Sequence, residues 1–180
     1  MRILPTPLHD LVLVETPVFC DERGIFQRLQ CNDTFAARGL PTQFVQTNLS
    51  TNRQRHILRG MHFQRTPHQE DKLVRCVHGA ILDVGIDIRE SSPTFGRHFM
   101  VELSADNALA LLVPKGFAHG YLTLTEDAAV LYHVTHPYTP GAEGGIRWND
   151  PRFAIDWPVQ EPLLSPKDAH WPDFTRGELQ

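Results

Sequence analysis

Cysteine is scarce in this chain: three among 180 residues, Cys20, Cys31 and Cys76. That is too few, and too widely spaced, for a disulfide framework or a zinc site of the CxxC kind, so buried reduced thiols are expected. Long apolar runs are missing as well. The longest are strand-sized, and the opening MRILPTPLHD has no signal-peptide core, which excludes a membrane partner and implies a cytoplasmic protein. Nor is there a block of positive charge. Lys and Arg total 17 against 21 Asp and Glu, the formal net charge is -4 and the pI is near 6.2, with the cations scattered. No nucleic-acid footprint results, although a phosphorylated small molecule needs only two or three local cations.

What is present reads as an ordinary globule, 41% hydrophobic and 21% charged, with a mean hydropathy of -0.28 and a size of 20.5 kDa. One domain over residues 1–180 is expected. Short β-branched and aromatic runs fall at 11–15, 24–30, 42–50, 56–63, 72–79, 80–88, 97–104, 108–114, 120–125 and 128–136. Gly, Pro, Asp and Asn punctuate them at the spacing of an all-β sandwich or barrel. One short helix is predicted in CNDTFAARGL, with Asn32 or Asp33 as N-cap, Phe35 buried and Gly39 as its stop. In DVGIDIR the alternation of Val84, Ile86 and Ile88 with Asp83, Gly85 and Asp87 predicts a half-buried strand. Gly79, between two such runs, predicts a tight turn joining antiparallel neighbours. From Pro137 onward periodicity fades, and an irregular tail with short strands is expected to wrap the barrel.

Polar residues inside these strands carry the chemistry. ILRGMHFQ places Arg59 and His62 among Ile57, Leu58, Met61 and Phe63. A histidine beside a permanent cation is disfavoured as imidazolium and so suited to accept a proton. VPKGFAHGYL holds Pro114, Gly116 and His119 at the spacing of the second half of a cupin metal motif. The first half calls for HxH, and here the strand reads His62-Phe63-Gln64, one ligand short.

DERGIF (21–26), FVQTNLS (44–50), LRGMHFQ (58–64), DKLVRCVHG (71–79), DIRESSPTFG (87–96), VPKGFAHGY (113–121), GGIRWNDP (144–151) and LSPKD (164–168) together resemble the dTDP-4-dehydrorhamnose 3,5-epimerase family. The resemblance runs from about residue 3 to 168. It implies a cupin-type jelly roll, a homodimer, and catalysis without a metal or organic cofactor. The dimer is expected through LVLVE at 11–15, whose apolar pattern suits an unpaired edge strand. Epimerisation beside a ketone needs a base, a group to stabilise the enolate, and an acid on the opposite face. The resemblance implies His62 as base with Asp168 orienting it, Tyr132 as acid and Lys72 on the enolate oxygen. It also implies substrate contacts at Arg23, Gln46, Asn48, Arg59, His119, Tyr138, Glu143 and Lys167, with Tyr138 stacked on the base.

Arg28 departs from that pattern, which has glutamate there. A donor in place of an acceptor predicts altered base or sugar recognition, and a CDP-linked sugar is one outcome. The expected activity is inversion of carbon 3, carbon 5 or both in a dTDP-4-keto-6-deoxyhexose, in deoxysugar biosynthesis. The alternatives are a mono-epimerase of another nucleotide sugar, a metal-dependent cupin oxygenase, and a non-catalytic sugar-binding cupin.

Overall fold

Alternation at period two gives each strand an inner and an outer face, and in the computed structural model, which describes residues 1–179, these faces build two antiparallel sheets. One sheet runs, in spatial order, β1 (Arg2–Pro5), β2 (Val12–Glu15), β10 (Leu109–Val113), β7 (Lys72–His78), β12 (Ala128–Val134) and β5 (Gln46–Asn52). The other runs β13 (Glu143–Gly145), β6 (Leu58–Gln64), β11 (Phe117–Thr123), β8 (Ala80–Asp87) and β9 (His98–Ser104). A separate hairpin joins β3 (Val18–Asp21) to β4 (Gly24–Gln27), and one helix, α1, spans Asn32–Ala36. This is the all-β jelly roll predicted. No helix among the described residues is long and apolar enough to cross a membrane.

Three apolar layers hold it together. Leu11, Val74, Ile81, Leu111, Phe117 and Val130 fill one end of the space between the sheets. Val14, Leu73, Ala110 and Leu112 pack outside the six-stranded sheet under Phe35 of α1. Leu58, Met61, Val84 and Ile86, outside the five-stranded sheet, are covered by Ile146, Phe153, Trp157 and Phe174 from the tail. Fully burying side chains of this size contributes roughly 1.5–3 kcal/mol each, which is why an irregular tail stays in place. The wrap expected of it is therefore observed, with β13 as its strand and two short 3-10 turns, Pro140–Ala142 and Asp168–His170.

Several expectations change. β8 is buried on both faces: the tail covers Val84 and Ile86 on its outer side, while Asp83 and Asp87 point into the packed space between the sheets rather than to water. Gly79 is no hairpin turn between neighbours: at φ +69° it passes the chain from β7 in one sheet to β8 in the other. A Cβ there would sit 2.2 Å from the Thr125 hydroxyl oxygen, which accepts the Ala80 N–H. β2 lies between β1 and β10, so LVLVE is not the exposed edge. α1 is capped by Cys31 rather than Asn32 or Asp33, and no side chain bonds at that cap; Gly39 does stop it, at φ +66°. Of the thiols only Cys76 is buried, since Cys20 lies on the hairpin and Cys31 at the helix start. β5 begins at Gln46, four residues later than predicted from Thr42.

Candidate active site

Next to the apolar fill, which it meets at Val74 and Val130, the open end of the barrel is lined by polar residues, each placed by strand alternation. β5 turns Gln46, Asn48 and Ser50 inward, β7 turns Lys72 inward beside Val74, and β12 turns Tyr132 and Val134. From the facing sheet come His62 and Gln64 on β6 and His119 and Tyr121 on β11. Arg59 and His62, three residues apart, belong on opposite faces of a regular strand. They share a face here because Tyr121 pairs with Arg59 and His119 with His62, so three residues of β6 advance against two of β11. Gly60 takes up the extra step at φ +137°, and a Cβ on it would lie 2.6 Å from the Gly120 Cα.

Two cavities meet at this end, of about 340 and 190 Å³, and both are lined by His62, Lys72 and Tyr132. Gln46, Asn48, Tyr138 and Glu143 border the larger; Arg59, His119, Tyr121 and Asp168 border the smaller. His62 Nε2 lies 2.5 Å from Asp168 Oδ1. Asp168 is itself fixed by the Trp171 indole N–H at 3.2 Å, and its backbone N–H donates to Ser165 Oγ at 3.1 Å. Burial pushes the Asp168 carboxyl up, but its hydrogen bond to His62, the charge of His62 and the bonds of Ser165 and Trp171 outweigh that and hold it below the usual aspartate value. An ionised Asp168 draws the ring proton to Nε2 and leaves the Nδ1 lone pair of His62 without a hydrogen-bond partner among the described residues.

Burial raises the Tyr132 phenol, with Tyr121 adding to the rise, Arg59 opposing it, and Glu70 adding again. It is a neutral acid at physiological pH. Lys72 Nζ lies 3.1 Å from Glu70 Oε1. Lys167 Nζ is 2.6 Å from both Glu143 oxygens, and the Tyr138 hydroxyl donates to the same carboxylate at 2.9 Å. Glu143 is pushed up by burial and pulled down further by Lys167 and Tyr138, so it too is ionised.

Eleven of the thirteen residues singled out from sequence thus converge on one region. Arg23 and Arg28 do not. Arg23, at the turn between β3 and β4, is exposed and paired with Asp21 at 2.5 Å, and Arg28, just past β4, is exposed too. Among the described residues the hairpin pairs only with itself, and it lines neither of these two cavities. Sequence reasoning overlooked Asp83, wholly buried with Oδ1 2.8 Å from His119 Nε2, and Tyr121, whose hydroxyl donates to Ser50 Oγ at 2.9 Å. It also overlooked Glu70. An acid at an inward strand position, as at Asp83, was the available signal.

A family model described as dTDP-4-dehydrorhamnose 3,5-epimerase matches residues 5–176. The chain is 46% identical to the dTDP-4-dehydrorhamnose 3,5-epimerase of Escherichia coli K12, over 99% of this chain and 96% of that one. Among solved structures it is similar to the enzyme of that name from Bacillus anthracis with TDP and pyrophosphate bound, with a TM-score of 0.93 at 40% identity over 96% of this chain and 99% of that one. It is also similar to a dTDP-6-deoxy-D-glucose-3,5-epimerase from Legionella pneumophila in complex with dTDP-4-keto-L-rhamnose, with a TM-score of 0.91 at 39% identity over 96% and 92% of the two chains.

Proposed function

Because the chain belongs to the dTDP-4-dehydrorhamnose 3,5-epimerase family, we propose that it inverts carbon 3, carbon 5 or both in a dTDP-4-keto-6-deoxyhexose. His62 Nδ1 takes the proton from the carbon next to the ketone, and Asp168 stabilises the imidazolium that forms. Lys72 compensates the charge that collects on the ketone oxygen. The Tyr132 hydroxyl returns a proton to the opposite face of the same carbon. Exchange with solvent then restores both groups, so no metal or redox partner enters the balance.

One observation carries this reading: His62 projects from the five-stranded sheet, while Tyr132 and Lys72 project from the six-stranded sheet that faces it. Base and acid on opposite walls are what inversion demands. The nucleotide-sugar contacts assigned to Gln46, Asn48, Arg59, His119, Tyr138, Glu143 and Lys167 are supported by their position around the same opening. Proton NMR in deuterated water with dTDP-4-keto-6-deoxyglucose tests the activity, and the carbons that take up deuterium are the carbons epimerised. Absence of uptake at both would overturn the proposal.

A homodimer is part of the same reading, with its support moved from β2 to the hairpin. Val18, Phe19, Ile25 and Phe26 are exposed there, an apolar surface that a second copy would cover. That packing is the route by which Arg23 and Arg28 reach a cavity other than their own. Sedimentation of Phe19→Ser/Phe26→Ser is expected to show a monomer where the native chain shows a dimer. We also assign the protein to the cytoplasm, where its three unpaired thiols stay reduced.

A further inference from the structure

We propose that Glu70 is the positioning residue that aims the Lys72 ammonium at the reacting ketone, an inference that rests on the role given to Lys72 above. Lys72 stands where the two cavities join, with its side chain 14% exposed, and Glu70, 7% exposed, meets its Nζ at 3.1 Å. A four-carbon stem has no fixed direction without a partner, and a carboxylate at hydrogen-bond distance supplies one. The other acids of the site are committed elsewhere: Asp168 to His62, Asp83 to His119, Glu143 to Lys167 and Tyr138. Among the described residues Glu70 is the one acid paired with Lys72.

Glu70 is itself held. The Gln64 side-chain amide donates to Glu70 Oε2 at 2.7 Å and to the His68 carbonyl at 2.9 Å, while Gln64 Oε1 accepts the Thr139 N–H at 2.6 Å. Gln64 is buried at the end of β6, one turn of the alternation beyond His62. A continuous series of contacts therefore runs from the strand that carries the base, through Gln64 and Glu70, to the lysine on the facing sheet. The distance between base and enolate stabiliser is thus set through Gln64 and Glu70, both of which border the larger cavity. The same carboxylate faces Tyr132, which is also neighboured by Tyr121, Arg59 and Lys72, and its negative charge helps keep that phenol protonated.

The test is a double-mutant cycle on substrate turnover. Glu70→Gln keeps the volume and the acceptor for Gln64, so the fold is retained while the charge is lost. It is expected to lower kcat about 10- to 100-fold, with KM moving by less than about threefold, because misplacing one group by about 1 Å costs up to about a hundredfold. In a Lys72→Ala background the same change is expected to cost no more than about twofold, the signature of one residue acting through another. A merely structural role would repeat its full factor in that background, and such a result would overturn the proposal. So would a slow Lys72→Ala beside a Glu70→Gln at wild-type rate. Wild-type turnover in Lys72→Ala would instead remove the role of Lys72, and that of Glu70 with it.

Discussion

Arg59 and His62 project into the same cavity although three residues separate them, because β6 bulges at Gly60 against Gly120. The bulge sets the phase of everything after it, so His62 and Gln64 face inward while Met61 and Phe63 pack beneath the tail. Gly60→Ala places a side chain at φ +137° and against backbone. A strained position of this kind costs about 1–3 kcal/mol. At roughly 2–4 °C per kcal/mol for a chain of this size, calorimetry is expected to show Tm lower by about 2–12 °C. An unchanged Tm would mean that the bulge relaxes freely.

His62→Asn is expected to lower solvent exchange at every epimerised carbon by about a hundred- to ten-thousandfold, since general-base catalysis is worth that much. The circular dichroism spectrum should not change, because His62 is only partly buried and outside the apolar clusters. Exchange within about tenfold of wild type would assign the base elsewhere.

Tyr132→Phe divides the reaction. Proton removal by His62 continues, so label still washes out of the substrate, while net inversion slows. Because burial raises this phenol, the near-ultraviolet titration lost in Tyr132→Phe is expected to lie above the ordinary tyrosine value of 10.0. A missing component at or below that value would contradict the environment described for Tyr132.

Asp168 links acidity to stability. Its carboxyl is held below the ordinary aspartate value, so the native state favours the ionised form more than the unfolded chain does. That contribution is complete above the ordinary aspartate range and is lost as pH falls through the lowered native value. Urea unfolding should therefore show a constant stability gap between wild type and Asp168→Asn near neutrality, narrowing below the ordinary aspartate pKa of about 3.9. A gap that widened on acidification would reverse the sign argued here.

The strands whose side chains alternate cleanly, β7, β8, β9, β10 and β12, were readable to within one or two residues. β1 and β13 were not, since RILP ends in proline and EGG has almost no side chains to alternate. The division into two sheets was hidden as well, for Gly79 looks locally like any turn, and only the packing of Thr125 and Ala128 against it shows that the chain changes sheet there. Motif resemblance found the groups that face the cavity. It missed Asp83 and Glu70, which act on other side chains: one pair spans 36 positions, and the other sits in the irregular connection between β6 and β7, where no alternation tells which way a side chain turns. Contacts across a barrel leave no period along the chain.

The partner of His62 lies 106 positions later, in the tail that closes over the five-stranded sheet. During synthesis at about 5–20 residues per second, roughly 5–20 s separate the two on the ribosome. All thirteen strands and most of the tail have been made before the carboxylate leaves the exit tunnel. A nascent chain can therefore hold every strand of its sheets while chemically silent, and competence waits for the carboxylate that fixes the His62 ring. Termination between Gly145 and Asp168 would leave a chain with every strand but without the dyad.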